Sequence, residues 1–242
     1  MDYKELNFQN LQGVSAEREW EVSSAFPVLM RKVYVWMTLA LVITGFTAYG
    51  VATSPGILQA VYGNPAILIG LFVVELALVF GVGAAINRLS LSVATLMFIV
   101  YSVINGVLFS SIFMVYTMSS ITSVFFITAG TFAAMAFVGY TTKTDLTSMG
   151  KYLLMAFLGL IIATIVNLFI KSSGLTLILS YVGVLIFVGL TAWDTQKIKM
   201  MLLQAPDAGE ASQKIALLGA LTLYLDFINL FIHLFRIFGR RE

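Results

Sequence analysis

Seven long apolar runs, separated by short polar or Gly/Pro-bearing breaks, organise this chain of 242 residues. After Arg31-Lys32, the first runs through "VYVWMTLALVITGFTAYGVAT" and is broken at Ser54-Pro55-Gly56. The second extends from about Pro65 to Ile86, the third from Ser92 to Tyr116 and the fourth from Ile121 to Tyr140. The fifth covers Tyr152 to Ile170 and is closed by Lys171; the sixth covers Leu175 to Trp193, with Asp194 directly after it. The segment "TQKIKMMLLQAPDAGEASQK" reads as the longest connection, and the seventh run follows as "ALLGALTLYLDFINLFIHLFR". Each run is apolar all round and about as long as a bilayer-spanning helix, roughly 20 residues. The runs are too long and too uniform for the alternating strands of a barrel. The pattern predicts an all-α polytopic membrane protein with seven transmembrane helices in residues 31–242, preceded by a polar tail over 1–30.

Composition sharpens this reading. The chain is 60% hydrophobic and 11% charged, where a soluble domain carries about 25% charged residues. It holds no cysteine and a single histidine, so disulfides and thiolate metal sites are excluded. There is no GxxxxGK[ST] phosphate loop and no HExxH pair. No catalytic constellation and no cofactor site is expected, and the protein reads as a non-enzyme. The polar, acidic first thirty residues carry no early apolar run, so the first span is expected to act as its own targeting signal.

Charge placement sets an expected orientation. With the N-terminus inside, the cytoplasmic set is Lys4, Arg18, Arg31, Lys32, Arg88, Lys143, Lys151, Lys197, Lys199 and Lys214; the opposite set is Lys171, Arg236, Arg240 and Arg241. The positive-inside rule favours that arrangement, with the seventh run crossing fully.

Against this background the ionisable residues inside the runs stand out, because a charge at membrane depth is costly unless it is partnered or faces water. Asp226 lies near the middle of the seventh run, and His233 follows two helical turns later on nearly the same face. A hydrogen bond between helices would explain Asp226 blandly, but Asn or Ser does that with less desolvation. Asp194, at the expected edge of the sixth run, has two readings: a cap or partner of Lys197 or Lys199, or the second carboxylate of a pair with Asp226. Two adjacent carboxylates cannot both ionise cheaply and titrate as one unit. Glu75 lies mid-span in the second run, and Arg88 directly follows that run, either as a headgroup anchor or as a counter-charge. Gly81, Gly83, Ala84, Ala85, Gly130, Ala133, Ala134 and Ala136 read as close helix packing.

The stretches "GLTAWDTQKIK" and "ALTLYLDFINLFIHLFRIFG", with "YSVINGVLFSSIF" in the third run, resemble the Bax inhibitor-1 (TMBIM) family, as a bacterial inner-membrane member. The resemblance spans residues 31–239 and leaves the tail aside. It implies a seven-helix bundle whose last helix is central, wrapped by two layers of three. It implies a pH-sensitive calcium leak channel in which Asp194 and Asp226 share a proton and line the ion pathway, touching calcium only transiently. By position, Arg88 would be the latch on that pair, and Glu75 would match a second-helix glutamate. His233 remains a secondary proton site or an interfacial histidine. The family also implies an alternative, an interaction protein that modulates a membrane-bound AAA protease, for which the N-terminal tail offers a handle. A retinal reading falls away, since no lysine lies between Ala216 and Arg236 for a Schiff base; an intramembrane aspartyl protease stays a minor alternative, since neither "AWDT" nor "YLDF" is its GxGD motif, and cleavage of a transmembrane substrate tests it. The expected partners are the lipid bilayer, calcium and protons, with no nucleic acid.

Overall fold

In a computed structural model, the backbone is described for residues 3–86 and 88–240 and side chains for residues 25–86 and 88–240. Nine helices form in this range: α1 (Tyr3–Ala52), α2 (Pro55–Tyr62), α3 (Pro65–Ala85), α4 (Leu91–Phe109), α5 (Ile112–Val115), α6 (Met118–Thr141), α7 (Thr147–Ile170), α8 (Ser173–Leu203) and α9 (Glu210–Phe238). Seven stretches are long and apolar enough to cross a membrane, the first from Ala25 to Ala52 and the third formed by α4 and α5 together. The expected all-α, seven-span architecture is what the chain adopts.

Local chemistry explains the boundaries. Pro55 and Pro65 open their helices at positions where a missing N–H costs nothing. Ser90, Thr117 and Ser172 each accept a hydrogen bond from a backbone N–H three residues on, capping α4, α6 and α8. The third span breaks at Ser110-Ser111, where the Tyr62 hydroxyl accepts from Ser111 N at 3.1 Å and lies 3.0 Å from Ser110 Oγ. At the α7–α8 turn, Lys171 takes a left-handed conformation (φ 54°). There Asn167 receives Ser172 N and donates to Thr176 Oγ1 at 2.7 Å.

Helix α9 is the axis. It packs against α1, α4, α6 and α8, and 61% of its apolar window is buried, against 6% for α3 and for α7. On one side α4 bridges α1 and α3; on the other α8 bridges α6 and α7. The bundle is therefore two three-helix layers around a central last helix. Tyr224, fully buried, pins the first layer: its hydroxyl sits 2.7 Å from Thr44 Oγ1, and its ring meets Phe98 and Tyr101 edge-on.

Three expectations change. Helix α1 runs without a break through the boundary at residue 30, its backbone helical from Tyr3. The long connection expected over residues 195–214 shrinks to 204–209, because both flanking helices extend into it. Between Asp194 and Leu203 there is neither Gly nor Pro, and Ile198 and Leu202 are buried one turn apart while Lys197 faces outward. An amphipathic stretch thus continues a helix that began as an all-round apolar one. The small residues also act differently from expectation. Gly83 and Gly130 have open space around them, and Ala133 and Ala134 are exposed. The close approach is at Gly139, where α6 lies against the backbone of Ala192 in α8.

A Cβ at position 139 would fall on the Ala192 carbonyl oxygen and within 2.8 Å of the Ala192 Cα, with backbone rather than a flexible side chain in the way. Gly139→Ala is expected to push α6 off α8 and destabilise the fold by about 1–3 kcal/mol, the usual cost of overpacking. Thermal unfolding in detergent checks this, with Gly130→Ala as the uncrowded control. A midpoint for Gly139→Ala equal to that of Gly130→Ala would show that the two backbones are not held together.

Candidate functional site

The α8–α9 seam carries the ionisable residues. Two contacts fix its antiparallel register. A Cβ on Gly219 of α9 would lie 2.9 Å from the Ile198 side chain of α8. About four turns further along the seam, the His233 ring fills the space over Gly183 and stacks on Phe187 at 5.7 Å. Asp226 lies midway between Gly219 and His233, and Leu190–Thr191 lie midway between Gly183 and Ile198. Asp226 is therefore level with Leu190–Thr191, and Asp194 is one turn further along α8.

The two carboxylates lie near enough to act on one another electrostatically. Asp194 is the charged neighbour acting on Asp226, and both are buried, at 7% and 5% exposure. Asp226 Oδ2 has no hydrogen-bond partner among the described residues. The Thr191 hydroxyl, the obvious donor at that level, is committed to the Phe187 carbonyl at 2.7 Å. Thr195, next to Asp194, is fully buried, and the Tyr34 side chain of α1 reaches toward its hydroxyl. The arrangement is a compact polar island of two carboxylates and a hydroxyl, enclosed by apolar helices. Such an island is costly unless it binds a proton or a cation, since an unpaired buried carboxylate has neither water nor a dipole to stabilise it.

Asp194 was expected at a helix edge and instead lies inside α8, roughly two and a half turns before its end at Leu203. The cation acting on it is Lys197, one turn on, whose ammonium sits 4.9 Å over the Trp193 ring. Arg88 is exposed just beyond α3. Among the described residues the salt bridge present is Lys214–Glu210, at 3.1 Å; Arg88 and Asp194 are not joined in this structure. Glu75, half-buried, faces α4 beside Asn105 and Tyr101 rather than the Asp194–Asp226 island. His233 is buried on the same face of α9 as Asp226, two turns away, with Nδ1 unpartnered among the described residues. Among the described residues no three His, Cys, Asp or Glu side chains cluster as a metal cage would.

Thr195, Tyr34 and Asn105 went unnoticed in the sequence. The signal for Thr195 was available: it shares a buried helical stripe with Ile198 and Leu202. Nothing in the sequence marks Asn105 or Tyr34, because their roles depend on which helices become neighbours.

The cytoplasmic-type cations gather at one end. Lys32 Nζ donates to Gln213 Oε1 at 2.8 Å, and Glu210 Oε1 accepts from Leu91 N at 3.0 Å. Gln196 ties the α6–α7 turn by accepting from Leu146 N and donating to Thr144 O, both at 2.8 Å. The start of the first span, the α3–α4 turn, the α6–α7 turn and the α8–α9 turn therefore share one end.

Comparison with known proteins follows the same lines. A family model described as "Inhibitor of apoptosis-promoting Bax1" matches residues 27–242. The chain is 48% identical over 214 residues to the inner membrane protein YbhL of Escherichia coli K12, covering 88% of this chain and 92% of that protein. It is 43% identical over 213 residues to an uncharacterized protein of Borreliella burgdorferi, with 88% and 92% covered. Uncharacterized protein RP147 of Rickettsia prowazekii is 43% identical over 214 residues, with 88% and 89% covered. With the family model spanning nearly all of the transmembrane bundle, and with an inner membrane protein among such relatives, the chain belongs to the Bax inhibitor-1 family of membrane proteins.

Proposed function

We propose that the protein is a proton-sensitive calcium leak of the bacterial inner membrane, with Asp194 and Asp226 as its proton sensor. The observation that carries this reading is the buried Asp226 carboxylate in the central helix, with Asp194 beside it and an unpartnered oxygen. A carboxylate is a hard oxygen ligand that suits calcium. Two of them supply too few oxygens for a six-to-eight-coordinate cage, so they favour passage over storage. When the pair gains a proton, one negative charge remains, its pull on a counter-charge weakens and the end of the bundle is easier to open. Loss of that proton leaves two like charges on α8 and α9, which must then be balanced by a cation or be separated.

In proteoliposomes, calcium flux through the native protein is expected to depend on pH, by up to about tenfold per pH unit for one titrating unit. Asp226→Asn and Asp194→Asn should each flatten that dependence, because removing either carboxylate removes the shared proton. A native pH profile in Asp226→Asn would overturn its assignment as sensor.

The gate needs a counter-charge, and two cations compete for that role. Lys197 acts on Asp194 in the present arrangement, whereas Arg88 forms no salt bridge with it. If Arg88 is the latch, Arg88→Ala raises basal leak and weakens the pH response, and Arg88→Lys does so partly, losing bidentate geometry. Lys197→Gln would then have the smaller effect. Native flux at every pH in a well-inserted Arg88→Ala protein would assign Arg88 to headgroup anchoring.

The shared end of the bundle described above carries Lys32, Arg88, Lys143, Lys197, Lys199 and Lys214, and we place it in the cytoplasm by the positive-inside rule. The absence of native cysteine makes this simple to check. In spheroplasts, Ser173→Cys should react with a membrane-impermeant maleimide and Ser148→Cys should not; the opposite labelling would invert the orientation.

A further inference from the structure

Helices α1 and α6 both lie on α9, yet they diverge from one another and leave a groove between them. Its volume is about 670 Å³, within the roughly 300–1,000 Å³ of ligand-binding sites. The α6 wall is recessed because Ala129, Ala133 and Ala136 present small side chains there, and Phe227, wedged between Phe125 and Phe132, forms the floor. The groove follows α1 from Pro27 to Leu41, and from Arg31 inward to Leu41 its apolar stretch runs ten residues, about 15 Å at 1.5 Å per residue. That is half of the roughly 30 Å hydrocarbon core of a bilayer, the depth of one leaflet.

One end of this apolar groove is cationic. Arg31 lines it there and is exposed, and no carboxylate lies within ion-pair distance of it among the described side chains. The positions one turn away on α1 are Pro27, Val28, Tyr34 and Val35, so no acid on its own helix can neutralise it. Tyr34 and Tyr140 line the groove beside it, with Tyr140 stacked on Phe26. Across Tyr140 stands a second cation: Lys199 donates to the Tyr140 carbonyl at 2.8 Å and sits 5.1 Å over its ring. Beyond it opens a polar cavity of about 750 Å³ lined by Lys143, Lys197 and Lys199, with Asp145 its one acid.

We propose that the α1–α6 groove is a site for one phospholipid with an anionic headgroup. One acyl chain lies on Phe227 between the helices, and the phosphate meets Arg31 with Lys199 adding charge. The site matches its occupant at both ends: one leaflet's depth of apolar wall, then cations that form no salt bridge among the described residues, at the level where a headgroup sits. Guanidinium is the side chain best suited to grip a phosphate, and basic pockets between helices on the cytoplasmic side select anionic lipids. Because Phe227 adjoins Asp226, the lipid rests against the helix that carries the proposed sensor. The inference does not depend on ion flux.

The test is native mass spectrometry of the full chain released from nanodiscs holding equal amounts of phosphatidylglycerol and phosphatidylethanolamine. The native protein is expected to retain a single phosphatidylglycerol in preference. Arg31→Gln should lower that preference by about fivefold, the contribution of one interfacial cation. Ala133→Phe, which fills the groove, should lower retention of either lipid, and Lys171→Gln at the far end of the bundle should change nothing. Thermal unfolding confirms that each variant is folded. If Arg31→Gln does not fold, titration of phosphatidylglycerol into native protein in phosphatidylethanolamine nanodiscs decides instead, through saturation at one bound lipid. Equal retention of the two lipids by the native protein, native preference in a folded Arg31→Gln variant, or native retention in a folded Ala133→Phe variant would overturn the proposal.

Discussion

The bundle is arranged around one unfavourable group, the carboxylate of Asp226 in the middle of its most enclosed helix. In hydrocarbon an ionisable side chain is retained only where the surrounding protein accommodates it. Here α9 is wrapped by α1, α4, α6 and α8, so the carboxylate meets protein rather than lipid. The register of α8 then decides what it meets. The Gly183–His233 and Gly219–Ile198 contacts hold the two helices so that Asp194 falls one turn from Asp226. The same register buries Thr195 beside the pair. The layers serve different ends. Tyr224 locks α9 to α1 and α4 through Thr44 and two aromatic contacts, whereas the α8 side is held by close backbone approach at Gly139. A seam built from a polar pair is thus flanked by rigid packing on both sides.

Much of this was legible from residues. All-round apolar runs gave the number of spans, because a membrane helix needs no polar face. Asp226 drew attention for the same physical reason that it matters in the fold: its burial is expensive. What hydropathy could not give was the extent of α8. A reading keyed to apolarity stops at Asp194, the first charge, although the helix continues on an ordinary amphipathic pattern through Ile198 and Leu202. That error placed Asp194 at an edge and lengthened the following loop. The glycine-rich and alanine-rich stretches misled for a related reason. Small residues permit close approach without requiring it, so Gly83 and Gly130 face open space while Gly139 and Gly183 carry the contacts. Arg88 sits at the expected end of the bundle but stands apart from the carboxylates, since sequence position fixes level along the axis and not azimuth around it.

The groove between α1 and α6 had no signature in the sequence at all. It exists because two helices that share α9 as a neighbour splay apart, and because α6 turns its alanines toward the gap. It also joins the two halves of the account physically, since its floor is the residue after Asp226. A bound lipid and a bound proton would therefore press on the same turn of the same helix.

In the proposed mechanism Asp194 and Asp226 hold one proton between them. Infrared difference spectroscopy of the membrane-reconstituted protein, titrated across the neutral range, tests it directly. If they share a proton, one protonated-carboxyl band disappears as pH rises and is absent or strongly shifted in both Asp194→Asn and Asp226→Asn. A band that survives unchanged in Asp194→Asn, or no titrating carboxyl band in the native protein, would contradict a shared proton.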